Sequence, residues 1–388
     1  MLEHYKHTKN SVKKMKIKTI TCHDVYNYGA SLQAFALMSF LRSMGHEVEI
    51  IDYLPRNKRR RYEYFRLAPT GIFRKIATFL PFLEPLLALW QNRYELLSRN
   101  RKYNFDLFKK EALACTSRKY ESFEDLNTYK PEADIFVAGS DQIWNVYYDN
   151  GRDPSFYCAF EPDTQKRMSY AASFGANTIP EDSETFVKEM LSRMKAISVR
   201  EYSGVKIVEQ LGLKAQHVLD PVFLLETEEW RSMCRKDRGE EGYVLVYDFL
   251  HNDPNVETLS KFLAKKYNKK IVSINDFRPL GYADVNVNDA GPIEFLEYIK
   301  DADFVVSTSF HATAFSVIFS RPFYTLPLVG HGNSSRMVDF LNMLDLEDRF
   351  VTRMEQFREA KDIDYEAVHK SIGQKRLSSI SWLLSQLQ

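Results

Sequence analysis

A histidine in the C-terminal third of the chain is the residue whose type and context best suit proton transfer. His311 lies in S-T-S-F-H-A-T-A-F-S-V-I-F, residues 307–319, between a strand-like apolar run and a helix-like run of small and apolar residues. An imidazole titrates near neutral pH and can therefore move a proton there. Either His311 is a core histidine with both ring nitrogens hydrogen-bonded, or it donates a proton at the start of a helix that binds phosphate.

The residues around His311 favour an anion site. The start of the predicted helix would offer free backbone N–H groups, which attract phosphate or carboxylate. Hydroxyl groups on both sides could add hydrogen bonds, and a small alanine lets a ligand approach the backbone. The candidate donor-binding residues here are Ser307, Thr308, Ser309, Ala312 and Thr313.

Two arginines could complete such a site. Arg200 ends the strand-like stretch A-I-S-V-R, and Arg336 stands in G-H-G-N-S-S-R at the start of a predicted helix. The planar guanidinium fits phosphate and carboxylate groups. Each arginine is either a salt-bridged surface group or part of the anion site.

Polar residues also follow strands in the first half. Asn27 and Gly29 lie in the turn of T-C-H-D-V-Y-N-Y-G-A, which matches the dinucleotide motif G-x-G-x-x-G poorly. The stretch F-V-A-G-S-D-Q-I-W-N ends a strand in residues 139–142, and Trp144 follows. Trp144 either packs in the core or offers a flat face on which a sugar could stack.

The spacing of apolar residues predicts the elements that position these groups. A strand at 16–21, a helix at 31–44 and a strand at 47–53 form a β-α-β unit with parallel strands. Strands at 243–248, 270–274, 303–307 and 323–326 alternate with helices in the second half. Two α/β halves joined near Asp220 and Pro221 predict two facing Rossmann-like domains, with ligands between them.

We assign residues 1–14 to a flexible arm, 15–195 to the N-terminal domain and 196–388 to the C-terminal domain. The first domain is the expected acceptor side and the second the donor side, with the last helix packing back on the first. A helical insertion is predicted at about 56–130. Its run I-A-T-F-L-P-F-L-E-P-L-L-A-L-W follows the basic stretch R-N-K-R-R-R and either packs on protein or touches anionic lipid.

Composition sets outer limits on the function. The chain has 388 residues, 44% hydrophobic and 27% charged, with a net charge of +1, which is typical of a globular protein without a field for nucleic acid. Its four cysteines are scattered, without a C-x-x-C pair. We therefore expect no metal site, no disulfide framework and a reducing, cytoplasmic location. No signal peptide is visible in the polar, basic N-terminus.

Seven ordered motifs resemble the polysaccharide pyruvyl transferase family. They are N-Y-G-A-S-L-Q-A-F-A-L, G-S-D-Q-I-W-N, S-Y-A-A-S-F-G, S-V-R-E, L-D-P-V-F-L-L, S-T-S-F-H-A-T-A-F-S and N-S-S-R. The resemblance extends from about Met15 to Phe350. It implies an α/β fold of two facing Rossmann-like domains, similar to the B-type glycosyltransferases.

The resemblance also implies an activity. Characterised members transfer pyruvate from phosphoenolpyruvate to two hydroxyls of a sugar, which forms a cyclic ketal on a cell-surface polysaccharide or its lipid-linked precursor. Phosphoenolpyruvate is the co-substrate, and no nicotinamide or flavin cofactor is needed. His311 matches the family's histidine and is the candidate acid, and Asp141 is the weaker candidate for the base or for sugar binding. The sugar would pass Asn27, Gly29, Ser140, Gln142 and Trp144.

One departure from the family concerns donor binding. Relatives carry an arginine two residues before the histidine, where this chain has Ser309. Either Arg336 or Arg200 (with Arg278 a weaker candidate) replaces it, or the donor is a different compound. Two alternatives therefore remain beside the pyruvyl transferase: a glycosyltransferase-like enzyme with a nucleotide-activated donor, and a non-catalytic glycan-binding member. Contact with a membrane is a further expectation, and the oligomeric state stays open.

Overall fold

The computed structural model describes residues 13–55, 67, 71–93, 98–238, 242–251, 253–276, 278–328 and 334–388. Two five-stranded parallel sheets dominate this part of the chain. Each sheet has the strand order 3-2-1-4-5 when its strands are counted along the chain. The predicted pair of Rossmann-like domains is confirmed. The arm at 1–14 lies almost wholly outside the described residues.

The first sheet has the order β3-β2-β1-β4-β5 and is extended beside β5 by a short parallel pair, β6 and β7. Its strands are β1 (Lys16–Ile20), β2 (Glu47–Tyr53), β3 (Cys115–Tyr120), β4 (Ile135–Ala138), β5 (Arg167–Ser169), β6 (Ser198–Val199) and β7 (Gln216–His217). All four residues of β4 are buried, as expected for a central strand of a parallel sheet.

The second sheet has the order β10-β9-β8-β11-β12. Its strands are β8 (Tyr243–Tyr247), β9 (Lys270–Ile274), β10 (Val285–Val287), β11 (Phe304–Ser307) and β12 (Phe323–Thr325). Every residue of β8 and β11 is buried, because helices cover both faces of the sheet centre.

Helices connect the strands and cover the sheets. In the first half they are α1 (Tyr28–Ser43), α2 (Ile72–Phe79), α3 (Glu84–Gln91), α4 (Arg99–Ala112), α5 (Phe123–Thr128), α6 (Glu181–Ser192) and α7 (Tyr202–Gln210). In the second half they are α8 (Thr227–Met233), α9 (Pro254–Tyr267), α10 (Pro292–Asp301), α11 (Phe310–Ile318), α12 (Ser335–Asn342) and α13 (Tyr365–Gln386). Short 3-10 helices include Pro81–Leu83, Asp149–Arg152 and Pro221–Phe223.

Two of the predicted domain limits are wrong. The boundary at 195/196 falls inside the first domain, because Ala196 bridges to Met168 and Val199 bridges to Ala172 in the first sheet. The domains instead join near Asp220. The insertion predicted at about 56–130 contains β3, which pairs with β2 as an edge strand of the first sheet. Its polar sequence C-T-S-R-K-Y has only two buried residues, and hydrophobic periodicity therefore gave no signal for this strand.

The last helix, α13, packs back toward the first domain, where the chain leaves it. The Leu219 N–H donates to the Ser379 hydroxyl at 3.0 Å, and Lys195 Nζ donates to the Gln386 carbonyl at 2.8 Å. Arg376 binds the Phe223 carbonyl at 2.6 Å. Helix α13 thereby supports the segment that links the two domains.

Candidate functional site

The site lies where the carboxyl ends of both sheets face each other. In an open parallel sheet, ligands bind at the point where the strand order reverses, which here is between β1 and β4 and between β8 and β11. Asp141 follows β4, and His311 is the second residue of α11, which follows β11. Arg200 directly follows β6 in the first domain. The fold therefore brings residues that are 170 positions apart in the chain to one place.

A glycine lets the two domains approach closely at this point. Gly29 is the second residue of α1, and a methyl group on it would lie 1.9 Å from Nδ1 of His311. Asn27 caps the same helix by accepting from the Ala30 N–H at 3.0 Å. The starts of α1 and α11 thus meet across the domain boundary, with the His311 ring against Gly29.

Charged side chains form a buried group beside this contact, which we call the central cluster: Asp141, Arg200, Glu201, Asp220, His311 and Arg336. Arg200 binds Asp220 Oδ2 through Nη1 at 2.5 Å and Asp141 Oδ1 through Nη2 at 3.1 Å. His311 Nε2 lies 3.5 Å from Asp220 Oδ2. Asp220 therefore faces both a guanidinium and an imidazole, and it is fixed further by accepting from the Val222 N–H at 3.1 Å.

The charges of the central cluster perturb one another. Burial alone would raise the pKa of Asp220, but His311 and Arg200 lower it well below its usual value. Burial also acts to raise the pKa of Asp141, and the charges of Arg200, His311 and Arg336 lower it instead. Glu201 differs, because burial outweighs its arginine neighbours and raises its pKa. Asp141 and Asp220 are therefore anions at neutral pH, poor as proton acceptors and strong as hydrogen-bond acceptors.

Several buried polar atoms of the central cluster form no hydrogen bond. Within the described residues these are His311 Nε2, Arg200 Nε, Arg336 Nε and Glu201 Oε2. Arg200 Nε and Glu201 Oε2 are 3.8 Å apart, and His311 Nε2 has only the 3.5 Å contact with Asp220, so of these four atoms Arg336 Nε alone lacks a charged partner in the described part of the chain. Buried polar groups are nearly always paired, and leaving one unpaired costs about 1–3 kcal/mol. The reading of His311 as a core histidine with both nitrogens bonded therefore does not hold among these residues. Three of the four atoms are nitrogens, which suits a ligand rich in oxygen.

Arg336 is paired less completely than Arg200, the other arginine of the central cluster. It is the second residue of α12, and its burial and the nearby Arg200 charge lower its pKa to about 10. Arg336 and Arg200 both approach the ring of Phe310, at 5.8 and 5.0 Å from its centroid. A bound anion would relieve the repulsion between these two cations.

The predicted hydroxyl ligands divide into two kinds. The Ser307 hydroxyl donates to the Tyr247 carbonyl at 2.9 Å, and the Thr308 hydroxyl accepts from the Phe249 N–H at 3.0 Å. Thr313 is buried and donates to the Ser309 carbonyl at 3.1 Å. These three hydroxyls therefore brace the strand ends and the helix start. Ser309 is only partly buried and its side chain does not cap α11, so its hydroxyl is the one best placed to meet a ligand.

Part of the predicted acceptor site belongs to the core. Trp144 is fully buried, stacks on Tyr157 with ring centroids 5.5 Å apart, and donates from Nε1 to the Phe156 carbonyl at 3.1 Å. The expectation that a sugar stacks on Trp144 is therefore wrong, because neither face of its ring is open. Ser140 is also buried, with its hydroxyl donating to the Ala171 carbonyl at 2.6 Å. Gln142 is partly buried and accepts from Asn145 Nδ2 at 2.8 Å.

Sequence reasoning missed Asp220 and Glu201 as members of the cluster. Both stand in quoted motifs, L-D-P-V-F-L-L and S-V-R-E, so a signal was present. Glu201 lies two residues after β6, and Asp220 lies three residues after β7. Both strands are only two residues long, so the sequence did not show that these carboxylates lie at the site. Arg278, the weaker replacement for the missing arginine, is exposed and donates to the His251 carbonyl at 3.2 Å, away from these contacts.

Metal-binding groups and membrane-spanning helices are both absent from the described part of the chain. There, no group of three or more His, Cys, Asp or Glu side chains is arranged to hold a metal ion. Among the same residues, no helix is both long enough and apolar enough to cross a bilayer.

Fold and site together define a two-domain α/β protein with a cationic and acidic cluster between the domains. The sequence model of the polysaccharide pyruvyl transferase family matches residues 27–328. The chain belongs to this family of transferases. The matched range includes every member of the central cluster except Arg336. No curated protein matches the chain.

Solved structures resemble the chain over nearly its whole length at low identity. Arabidopsis thaliana UGT89C1 complexed with UDP-L-rhamnose is 11% identical, with a TM-score of 0.48, and covers 97% of this chain and 100% of that one. UDP-GlcNAc 2-epimerase from Neisseria meningitidis is 11% identical, with a TM-score of 0.44 and coverages of 96% and 100%. The glycosyltransferase SnogD from Streptomyces nogalater is 11% identical, with a TM-score of 0.43 and coverages of 95% and 95%.

Proposed function

We propose that the protein transfers pyruvate from phosphoenolpyruvate to two hydroxyls of a sugar, with formation of a ketal and release of phosphate. The observation that supports this most directly is the unpaired set of buried donors in the central cluster. Arg336 Nε, Arg200 Nε and His311 Nε2 lie beside the start of α11 and form no hydrogen bond among the described residues. Phosphoenolpyruvate carries a phosphate and a carboxylate on one carbon, so its site must satisfy two anions at once.

Arg336 is the proposed anion-binding residue that replaces the family arginine at position 309. Of the two arginines in the central cluster, its buried guanidinium would gain more from an anion, because Arg200 already binds two carboxylates. Arg200 is already bound to Asp141 and Asp220, and its Nε lies 3.8 Å from Glu201 Oε2. The hydroxyl of Ser309 and the first N–H groups of α11 would complete the donor site.

His311 is the proposed general acid. It would protonate the methylene carbon of phosphoenolpyruvate, which makes C2 electrophilic. A first sugar hydroxyl then adds to C2 and loses its proton, and phosphate departs with the C2–O bond electrons and takes up one proton. A second hydroxyl adds to C2 and loses its proton, which closes the ring. Asp220, with Oδ2 3.5 Å from Nε2, would orient the imidazole for this transfer.

Asp141 has the better properties for holding the sugar than for acting as the base. Its low pKa and its bond to Arg200 make it a strong hydrogen-bond acceptor that resists protonation. Glu201, whose pKa burial raises, is the better proton acceptor in the same cluster. The sugar itself would approach from the first domain, past Asn27, Gly29 and Gln142.

The test is a donor and acceptor assay on the purified protein. Inorganic phosphate should appear only when a suitable sugar is present, with one phosphate released per ketal, because the closed site protects the activated donor from water. The sugar should gain the mass of pyruvate less one water, and mild acid should remove the added group. Release of a nucleoside diphosphate from a nucleotide-sugar, without a mass gain from phosphoenolpyruvate, would instead identify the glycosyltransferase alternative.

A further inference from the structure

A helical hairpin of the first domain exposes an unusual amount of apolar surface. This apolar hairpin consists of α2, the 3-10 turn Pro81–Leu83 and α3. Phe79 and Phe82 at its tip are 84% and 72% exposed, and Ile72, Leu86 and Trp90 on its helices are 69%, 65% and 56% exposed. Monomeric proteins rarely expose large side chains in one place without a partner.

The apolar hairpin is a separate packing unit. Ala77, Ala88 and Leu67 form a small core with Phe73 and Leu87, which is distinct from the cores of the two sheets. Small alanines let the two helices pack closely, so the larger residues point outward. Removing the exposed side chains at the tip should therefore leave the domains folded.

Charge and aromatic placement indicate what covers this surface. Lys75 and Arg74 are exposed on α2, and Arg93 follows α3 with its guanidinium 4.2 Å from the Trp90 ring centroid. Glu84 is the one acidic residue of the stretch 71–93, and it is bound to Arg74 at 2.7 Å. An apolar tip with basic residues and a tryptophan near its base fits an anionic lipid surface.

We propose that the apolar hairpin inserts its tip into the interface of a membrane that contains anionic lipid. Each helix has eight residues and is about 12 Å long, far short of the ~30 Å hydrocarbon core, so the hairpin lies in one leaflet. The apolar tip would enter the acyl boundary while Lys75 and Arg93 meet the headgroups. This proposal does not depend on the reaction proposed above.

Vesicle sedimentation tests the proposal with a matched control. The full chain should pellet with phosphatidylglycerol-containing vesicles at low salt, and much less with pure phosphatidylcholine or at high salt. The double variant Phe79→Ser/Phe82→Ser should lower the bound-to-free ratio at least tenfold. Tyr103→Ser removes an aromatic side chain of similar exposure (63%) from α4 and should bind like the wild type. Lys75→Glu should weaken binding to the anionic vesicles only.

Tryptophan fluorescence gives a second, independent measurement. Trp144 and Trp230 are fully buried, and Trp382 is partly buried in the main core, so Trp90 should give the change on membrane binding. Anionic vesicles should shift the emission to shorter wavelength, and Trp90→Phe should abolish the shift. Failure to pellet at low salt, or equal pelleting of the Phe79/Phe82 variant, would overturn the proposal. If the wild type does not bind vesicles but is a dimer, and the Phe79/Phe82 variant is a monomer, then the hairpin is a contact between two copies of the chain.

Discussion

Two buried charged groups lie between the domains, and they differ in how completely the protein satisfies them. The first group is the central cluster. The second group, which we call the flanking network, consists of Tyr28, Arg101, Tyr247 and Asp276. Arg101 Nη2 donates to Asp276 Oδ1 at 2.6 Å and Nε donates to the Tyr28 hydroxyl at 3.0 Å.

The flanking network is closed on itself. The Tyr28 hydroxyl donates to the Ala290 carbonyl at 3.0 Å, and the Tyr247 hydroxyl donates to Asp276 Oδ2 at 2.8 Å. Tyr28 also stacks on Phe295 of the second domain, with ring centroids 4.5 Å apart. A satisfied network of this kind holds two domains together, whereas the central cluster keeps unpaired donors. The contrast indicates that the flanking network is structural, and it supports the central cluster as the ligand site proposed above.

His311→Ala should have the largest effect on function. Loss of a general acid typically lowers the rate about 100- to 10,000-fold. Because His311 already has an unpaired nitrogen, thermal unfolding should change little. The control is His369→Ala, which removes a partly buried histidine on α13 that contacts Ser320, and it should retain activity. A well-folded His311→Ala protein with the wild-type rate would contradict the role of His311 as the acid.

Arg101→Ala should have the largest effect on stability. Removing one partner of a buried ion pair leaves a buried charge uncompensated and typically costs about 3–5 kcal/mol. Denaturant unfolding of the variant measures this loss. Arg118→Ala breaks the exposed pair with Asp125 and should change the free energy of unfolding much less, because solvent screens exposed charges. Equal free energies of unfolding for the two variants would remove the structural role assigned to the flanking network.

Gly29→Ala should disturb the central cluster without touching a charged residue. The added methyl group would lie 1.9 Å from His311 Nδ1, so the ring or helix α1 must move. Overpacking costs about 1–3 kcal/mol, and a displaced catalytic group can lose about 100-fold in rate. Gly281→Ala adds a methyl group with no atom within 4 Å and serves as the control. Wild-type activity in Gly29→Ala would show that the His311 position is not critical.

Arg336→Ala should weaken donor binding with little loss of stability. A charge-assisted hydrogen bond is worth about 1.5–3 kcal/mol, so the Kd for phosphoenolpyruvate should rise about 10- to 100-fold. Calorimetry or a thermal-shift titration measures it. Arg200→Ala is expected to unfold more readily, because Asp220 and Asp141 would lose their shared partner. Arg278→Ala, at an exposed position, is the control and should bind the donor normally. An unchanged Kd in Arg336→Ala would point to another donor.

The sequence predicted the fold well where strands are buried on both faces. The strands near Val137, Val246 and Val305 are apolar runs, the strand near Ile17 alternates apolar and polar residues, and each is central in its sheet. The polar edge strand β3 gave no such pattern. The stretch A-I-S-V-R, which contains β6, was predicted as a strand, but its sequence did not show that it lies beside the first sheet, so the domain limit was misplaced. Helix α1 begins at Tyr28, earlier than predicted, because the Asn27 cap rather than hydrophobic spacing sets its start.

The candidate site was predicted only in part, because the prediction rested on which residues follow a strand. Position after a strand identified His311, Asp141 and Arg200, which the structure brings into one cluster. The same rule could not tell which side chains at a strand end turn inward. Trp144 and Ser140 follow β4 as Asp141 does, but both are packed into the first domain. The directions of the side chains depend on long-range contacts. The contact between Gly29 and His311 is one example, and residue spacing along the chain does not predict such contacts.

The smallest predicted effect is a change in how the free energy of unfolding depends on pH, and this change has opposite signs in the central cluster and the flanking network. In the central cluster, the pKa of Asp141 is lowered in the folded protein: burial would raise it, but Arg200 and its cationic neighbours prevail. Its contribution to stability is present above the ordinary carboxyl pKa of about 3.9 and is lost as pH falls below it. In the flanking network, burial raises the pKa of Asp276 despite Arg101. Its contribution is present below about 3.9 and is lost as pH rises through the folded value.

The free energy of unfolding, measured by denaturant from pH 7 down to about pH 3, should therefore respond differently to two similar substitutions. Asp141→Asn should make stability less sensitive to acid than the wild type, because it removes a group that binds a proton more readily when unfolded. Asp276→Asn should make stability more sensitive to acid, because it removes a group that binds a proton more readily when folded. Each change in slope is at most about 1.4 kcal/mol per pH unit. If both substitutions change the slope in the same direction, the two groups do not differ electrostatically. The contrast between the central cluster and the flanking network would then rest on hydrogen bonding alone.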